Sequence, residues 1–327
     1  MFRLVALVLV SVLLVAGCGG EDDAGSAKAP AARQPATEVD FPSGDDKTIR
    51  ALRAEVPEGA VFAPSVSTLN VGENRIGFAL FDTARKQVTP DAVAIYVAQP
   101  DGRRLRGPYE ARRESLRVKP QFQSRQTQAD LDDIDTFWVA DVPFPRRGRF
   151  VVTALASVDG KLISTSQFEM RVGTGRGGPP EPGEEAVKVE TDTVEDAGGN
   201  LQKIDTRIPP LPDLHEESFA DVLGRKPVVL AFATPQLCQT RVCGPVADVV
   251  LQVSAQPGNE DVEFIHQEIY IDNDIQKGFR EQVGAWGLPT EPWVFVVGRD
   301  GKVKERFEGA VSVDELSAAV DRLKQSS

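Results

Sequence analysis

The chain has 327 residues, of which 41% are hydrophobic and 26% are charged, a balance that is typical of ordinary globular protein. Its formal net charge of −12 argues against a nucleic-acid partner and against adhesion through a basic patch. Only two histidines are present, which leaves little room for histidine-rich metal chemistry. The length predicts two folded domains.

The N-terminus has the pattern of a bacterial export signal. Arg3 precedes an apolar run over 4–16, which is shorter than the ~20 residues that a transmembrane helix needs. The tetrapeptide Val15-Ala16-Gly17-Cys18 resembles a bacterial lipobox. This resemblance implies that residues 1–17 are a signal peptide and that Cys18 carries a lipid through its sulfur. The protein is then extracytoplasmic and lipid-anchored to the bacterial cell membrane. A short uncleaved anchor is the alternative.

Two segments rich in proline, glycine and acidic residues divide the remaining chain. Residues 18–45 are predicted to be a flexible tether, and residues 173–200 a disordered acidic linker, because neither can bury a core. They leave two folded units, 46–172 and 201–327.

The first unit, 46–172, is predicted to be all-β. Turn signals such as Asp159-Gly160 separate short runs that are rich in β-branched and aromatic residues. These runs are 75–82, 92–99, 136–142, 149–157 and 161–172. Their number suggests a two-sheet sandwich. The unit resembles, in architecture alone, the immunoglobulin-like domains of bacterial surface lipoproteins, and we expect a spacer or a protein-binding module.

The second unit, 201–327, alternates between predicted helices and strands, which is typical of an α/β sheet. Predicted strands cover 226–234 and 262–272, and a predicted hairpin covers 293–309 and turns at 299–302. Predicted helices cover 218–225, 245–255, 274–287 and 312–324. Ser312 and Glu315 have the spacing of a capping box at the start of the last helix.

Two motifs in this unit resemble the thioredoxin superfamily. The apolar run KPVVLAFAT (226–234) precedes a cysteine pair and a helix, and GLPTEPWVF (287–295) precedes an Asp-Gly hairpin. The resemblance covers 205–327. It implies a thioredoxin-like fold and thiol–disulfide exchange that needs no bound cofactor. It also implies a cis-proline, which we place at Pro292, that shapes a peptide groove. The implied partners are protein thiols and disulfides of the cell envelope and an unidentified electron donor or acceptor.

The cysteine pair, Cys238 and Cys243, departs from the family's Cys-x-x-Cys spacing. An even pair of thiols in an oxidising compartment predicts a disulfide. Within one helix the two residues would lie too far apart to be bridged, so Cys238 must precede the helix. Pro245 is suited to a first turn and places the helix start near residue 243. In the alignment that we favour, Cys243 attacks and Cys238 resolves; in the other, Cys238 attacks. Arg241 would favour a thiolate and Glu291 would oppose it.

Three other interpretations of the cysteine pair stay open. The disulfide can be an inert staple in a binding or structural lipoprotein. A peroxiredoxin-like peroxidase is a lesser alternative, because Thr240 and Cys243 have the spacing of that family's threonine and cysteine. Copper binding is another, although no histidine falls within 282–292. We expect His266 to pack within its strand and His215 to lie in a surface loop.

Overall fold

The structure is a computed structural model that describes residues 39–130, 134–173, 177–238 and 240–325. The predicted signal peptide 1–17, the predicted lipid site Cys18 and most of the predicted tether 18–45 lie outside the described residues. Within the described ranges, no helix has the length and apolar character that crossing a membrane would require.

Nine strands in the first half of the chain form one sheet. They are β1 Glu58–Pro64, β2 Gly72–Phe81, β3 Gln87–Val88, β4 Ala92–Ala98, β5 Arg106–Ser115, β6 Thr136–Phe144, β7 Gly148–Val158, β8 Lys161–Thr165 and β9 Phe168–Val172. Seven of them close into a barrel in the order β1-β8-β7-β4-β5-β6-β2, because β1 pairs with both β8 and β2. The other two are additions to this ring: β3 pairs with β2, and β9 pairs with β7.

Two strands close the barrel by serving both halves of the sheet. β5 pairs with β4 through residues 106–111 and with β6 through residues 112–115. β1 pairs with β8 through Glu58 and Ala60 and with β2 through residues 61–64. Because β1 and β5 each pair with strands of both halves, the sheet closes and lacks the open edges that a two-sheet sandwich would leave. The barrel interior is apolar and includes the buried rings of Trp138, Phe144 and Phe150.

A second sheet of four strands follows. Its strands are β10 Val228–Phe232, β11 Glu263–Gln267, β12 Trp293–Val297 and β13 Val303–Glu308, in the order β11-β10-β12-β13. β10 pairs in parallel with β11 and antiparallel with β12. Every residue of β10 and β12 is buried. For β10, the continuous apolar run over 226–234 predicted this burial.

The described residues contain six α-helices, most of them short. They are α1 Ile49–Ala54, α2 Arg125–Ala129, α3 Phe219–Val222, α4 Cys243–Ser254, α5 Glu281–Ala285 and α6 Val313–Gln325. Only α4 and α6, with 12 and 13 residues, are longer than two turns.

Our predicted fold class, an immunoglobulin-like sandwich followed by an α/β thioredoxin-like fold, is therefore wrong. The first sheet is a closed seven-strand barrel, and the described chain is mostly β with few helices. The predicted helix 274–287 contributes most to this difference. The positive φ of 83° at Gly278 interrupts the predicted helix, so that only a 3-10 turn at Ile275–Lys277 and the short α5 form.

Two local predictions are confirmed. The hairpin over 293–309 forms from β12 and β13. The capping box also forms, because the Glu315 N–H donates to Ser312 Oγ at 3.1 Å and the Ser312 N–H donates to a Glu315 carboxylate oxygen at 3.3 Å.

The domain boundaries stay a prediction, but the described part of the predicted linker makes defined contacts. The N–H of Gly183 donates to the Val303 carbonyl at 2.8 Å, and the N–H of Ala186 donates to the Gly301 carbonyl at 2.9 Å. Near the end of the predicted tether, Phe41 is buried against the barrel. These contacts do not fit disordered segments.

The barrel and the second sheet share an apolar core. Phe137 and Val139, on β6, belong to the same buried cluster as Val246 and Val250 of α4. Because this cluster is fully desolvated, it stabilises the joint between the two halves of the described chain.

A buried ion network reinforces the same joint. Arg75 of β2 donates to both carboxylate oxygens of Glu315 at 2.8 Å, and Arg112 of β5 donates to one of them at 2.9 Å. Burial raises the pKa of Glu315, but the two guanidinium groups lower it further, so the pKa lies below its ordinary value. The first turn of α6 is thus fixed to the barrel wall.

Candidate thiol–disulfide site

The two cysteines form a disulfide where β10 gives way to α4. Cys238 lies in the loop after the strand, Cys243 is the first residue of the helix, and their Cα atoms are 5.8 Å apart. This separation is within the usual range for a bridged pair. The predicted disulfide is confirmed, and so is the prediction that Cys238 precedes the helix.

Two hydrogen-bond donors point at the sulfur of Cys238. The backbone N–H of Cys243 lies 3.3 Å from it, and the hydroxyl oxygen of Thr240 lies 3.2 Å from it. A disulfide sulfur carries no hydrogen, so the amide and the hydroxyl are the donors; the Thr240 hydroxyl also lies 3.5 Å from the Glu291 carbonyl oxygen, which competes for its one hydrogen. The N-cap residue of α4, Val242, supplies no side-chain cap, and the sulfur takes the place of the missing acceptor. A thiolate at this position would accept both bonds more strongly and would face the positive end of the helix dipole.

The two cysteines differ in exposure. Cys238 is partly exposed, whereas Cys243 is fully buried. A thiolate can attack a disulfide of another molecule only if its sulfur is accessible. The burial of Cys243 therefore opposes our prediction that Cys243 attacks and Cys238 resolves, and it favours the other alignment.

A carboxylate lies beside both sulfurs. A carboxylate oxygen of Glu291 and the two sulfur atoms all lie within 4.8 Å of one another. The next peptide bond, Glu291–Pro292, is cis, as the family resemblance implied, and this places Pro292 one residue from the group that touches the sulfurs. A negative charge so near opposes formation of a thiolate, as we expected from the sequence.

Aromatic side chains extend this site toward solvent. The phenol of Tyr270 has a raised pKa, first because of burial and then because of the charge and hydrogen bond of Glu291. On its other side, the ring of Tyr270 stacks on Phe279 with a centroid distance of 5.4 Å, and Phe279 is 64% exposed. Ile271 and Ile275 are also exposed in this segment. We call the side chains of Tyr270, Ile271, Ile275 and Phe279 the apolar ridge.

The predicted helper cation, Arg241, points to another acidic group. Its guanidinium lies 3.9 Å from a carboxylate oxygen of Asp130, and its backbone has a positive φ of 64°. At this distance an exposed pair contributes little energy. Arg241 therefore contributes a positive charge to the loop that is partly neutralised by Asp130.

The structure also bears on the two minor interpretations. The hydroxyl of Thr240 contacts Cys238 rather than Cys243, which differs from the threonine–cysteine pairing that the peroxidase interpretation requires. His215 and His266 group with Asp205 and not with the cysteines. The prediction that His215 lies in a surface loop is wrong, because this residue is fully buried, and the packing predicted for His266 is confirmed.

Sequence reasoning missed the ridge and the histidine cluster. The ridge residues Ile275 and Phe279 repeat at a helical spacing with Val283, and this pattern predicted a buried helical face instead of an exposed surface. No local signal connects Asp205 to the histidines, because their contact depends on how the chain returns to β11.

Comparisons with known proteins find solved structures that are only weakly similar to this chain. No protein-family model matches the chain, and no curated protein matches it. Among solved structures, a thioredoxin-family thiol:disulfide interchange protein from Chlorobium tepidum TLS is 14% identical, with a TM-score of 0.28, and covers 46% of this chain and 99% of its own. The filamin domain of Lin-41 is 15% identical, with a TM-score of 0.20, and covers 36% of this chain and 95% of its own. At such scores neither likeness assigns a function.

Proposed function

We propose that this chain is a thiol–disulfide oxidoreductase that works through Cys238 and Cys243. The observation that carries the proposal is the environment of the Cys238 sulfur. Cys238 is partly exposed at the N-terminus of α4, and the amide of Cys243 and the hydroxyl of Thr240 both lie within hydrogen-bond distance of its sulfur. These donors favour the thiolate, which is the attacking form.

The exchange follows from which sulfur is accessible. In the reduced protein, the thiolate of Cys238 attacks a disulfide of a partner protein. A mixed disulfide forms, and the first partner sulfur leaves as a thiolate. The thiol of Cys243 loses its proton and attacks Cys238, which closes the Cys238–Cys243 bond and releases the second partner sulfur. Two electrons pass to the partner, and the reverse sequence oxidises a partner dithiol.

Protein thiols and disulfides of the cell envelope are the proposed partners, with an electron donor or acceptor at the membrane. The apolar ridge is connected to the sulfurs through Glu291, which interacts with the Tyr270 phenol. It suits an unfolded or extended segment, because Phe279 offers an exposed aromatic ring next to Tyr270. The export-signal pattern at residues 1–18 supports an extracytoplasmic, lipid-anchored location, where disulfides form and persist.

Trapping of mixed disulfides tests the proposal and the assignment of roles together. In a Cys243→Ser variant, Cys238 attacks but no resolving thiol remains, so covalent complexes with envelope proteins should accumulate and disappear on reduction. The matched Cys238→Ser variant should trap none. Trapping by Cys238→Ser alone would reverse the two roles, and trapping by neither would remove the proposal.

An inert disulfide is the alternative, and two observations favour it: the full burial of Cys243 and the carboxylate of Glu291 beside both sulfurs. The reduction potential separates the two functions. A structural staple should have a potential below about −300 mV, and a working couple should lie well above that value.

A further inference from the structure

Asp205, His215 and His266 form a second cluster of chemical groups, away from the cysteines. All three residues are at most 1% exposed. His266 lies on β11, His215 follows a 3-10 turn at Pro212–Leu214, and Asp205 follows another at Leu201–Lys203. Three separate parts of the chain therefore meet at this point.

Backbone carbonyls fix the tautomers of both histidines. His215 Nδ1 lies 3.0 Å from the Asp192 carbonyl oxygen, and His266 Nε2 lies 2.9 Å from the Ala233 carbonyl oxygen. A carbonyl oxygen only accepts hydrogen bonds, so each of these nitrogens carries a hydrogen. In neutral rings, His215 Nε2 and His266 Nδ1 are then left as lone pairs, and they face each other at 3.3 Å.

A carboxylate completes the cluster. Oδ2 of Asp205 lies 3.7 Å from His215 Nε2, and Oδ1 lies 3.8 Å from His266 Nδ1. Two lone pairs and a carboxylate thus converge in a buried space, and such an arrangement needs a cation between them. The candidates are a proton on one ring or a metal ion.

The distances favour a metal ion over a shared proton. A proton between the two rings would satisfy the nitrogen pair alone, because 3.7 and 3.8 Å are beyond hydrogen-bond distance. A zinc ion binds imidazole and carboxylate ligands at about 2.0–2.2 Å, so neighbouring ligands in a tetrahedral site lie about 3.3–3.6 Å apart. The observed separations are close to these edges.

The groups behind the ligands are also arranged as a metal site requires. Each histidine donates its other ring N–H to a carbonyl, which orients the ring. Asp205 accepts the N–H of Arg207 on Oδ1 at 2.8 Å and the N–H of Leu211 on Oδ2 at 2.7 Å.

From this geometry we infer that Asp205, His215 Nε2 and His266 Nδ1 bind one divalent transition-metal ion of the zinc class. Each residue offers one ligand atom, which gives a set of two nitrogen donors and one oxygen donor. The ion is structural, because the site is closed to solvent. It joins the segment 205–215 to β11, next to the strand that leads into the cysteine loop.

The test uses the purified, untagged chain with Cys238→Ser and Cys243→Ser, which removes the thiolates of the cysteine pair as competing ligands. After removal of metals by a chelator, the protein is dialysed against zinc chloride and its metal content is measured. The expected result is one zinc per chain and a rise in the melting temperature on the order of 5 °C at saturating zinc. Magnesium should neither bind to the protein nor raise its melting temperature, because magnesium prefers oxygen ligands.

The nitrogen NMR signals of the rings identify the ligands directly, because the chain contains only two histidines. Zinc should shift His215 Nε2 and His266 Nδ1 and leave the two donor nitrogens protonated. Asp205→Asn should weaken zinc binding by more than about tenfold, and the matched Glu291→Gln variant should not. The inference would be overturned if the ring nitrogen signals do not shift when zinc is added, or if they show one proton shared between the rings. This result does not depend on whether the variants fold.

Discussion

The cysteine pair and the histidine pair are both two-residue clusters close to the ends of β10 and β11, but their surroundings differ. Cys238 is partly exposed, its sulfur accepts two hydrogen bonds, and a carboxylate lies within 4.8 Å of that sulfur. The histidine pair is buried, and the second nitrogen of each ring is already bonded to a carbonyl. This difference is why we propose exchange with another molecule for the first cluster and a structural role for the second.

The largest effect on stability should come from the histidine cluster. Asp205→Asn replaces one oxygen with an NH₂ group that cannot accept the backbone N–H of Arg207 or Leu211. We expect the free energy of unfolding to fall by about 3 kcal/mol, because a buried donor is left unpaired beside the histidines. Urea denaturation measures it. The matched surface change Asp213→Asn should stay within about 0.5 kcal/mol.

A smaller loss should follow from removing the disulfide. Replacing Cys238 and Cys243 together by serine should cost about 2 kcal/mol, because the bond closes only a short loop and constrains the unfolded chain little. The same urea titration, run on oxidised wild type, gives the comparison. If this loss exceeds that of Asp205→Asn, the cysteine pair is the structural cluster and our contrast is reversed.

Two substitutions should move the reactivity of Cys238 in opposite directions. In a Cys243→Ser background, Glu291→Gln removes the nearby negative charge and should speed alkylation of Cys238 at neutral pH, because the thiolate is then less disfavoured. Thr240→Val removes a donor and should slow that alkylation. The pH dependence of alkylation by iodoacetamide reports both. Equal alkylation profiles in all three proteins would mean that neither group acts on the sulfur.

The smallest effect on stability should come from the apolar ridge. Phe279→Ala should change the free energy of unfolding by less than about 0.5 kcal/mol, since the ring is 64% exposed. Exchange with a reduced or scrambled protein should slow several-fold, while exchange with a small aromatic disulfide should not change. A parallel loss toward both substrates would show that the ring positions the site instead of binding partner proteins.

The sequence predicts the features that depend on neighbouring residues. The helix start after the cysteine loop, the hairpin at 299–302 and the Ser312–Glu315 cap each follow from a few adjacent side chains. A cysteine pair in a chain with an export-signal pattern also predicts a disulfide between the two residues.

Features that depend on distant contacts could not be predicted. Closure of the barrel depends on β1 and β5 each pairing on two sides, and the alternation of side chains is the same in a sandwich. The segment 274–287 has helical periodicity, yet the positive φ of Gly278 breaks the helix. His215 stands among prolines and acidic residues that indicate a surface, but the chain folds back over it.

The apolar cluster that Phe137 and Val139 share with α4 limits how the protein can be divided. A fragment that begins after the barrel would expose one side of that cluster to water and would tend to aggregate. The cysteine-bearing half is therefore a poor candidate for transplantation onto another scaffold, and any shuffling of these modules would have to carry both halves together.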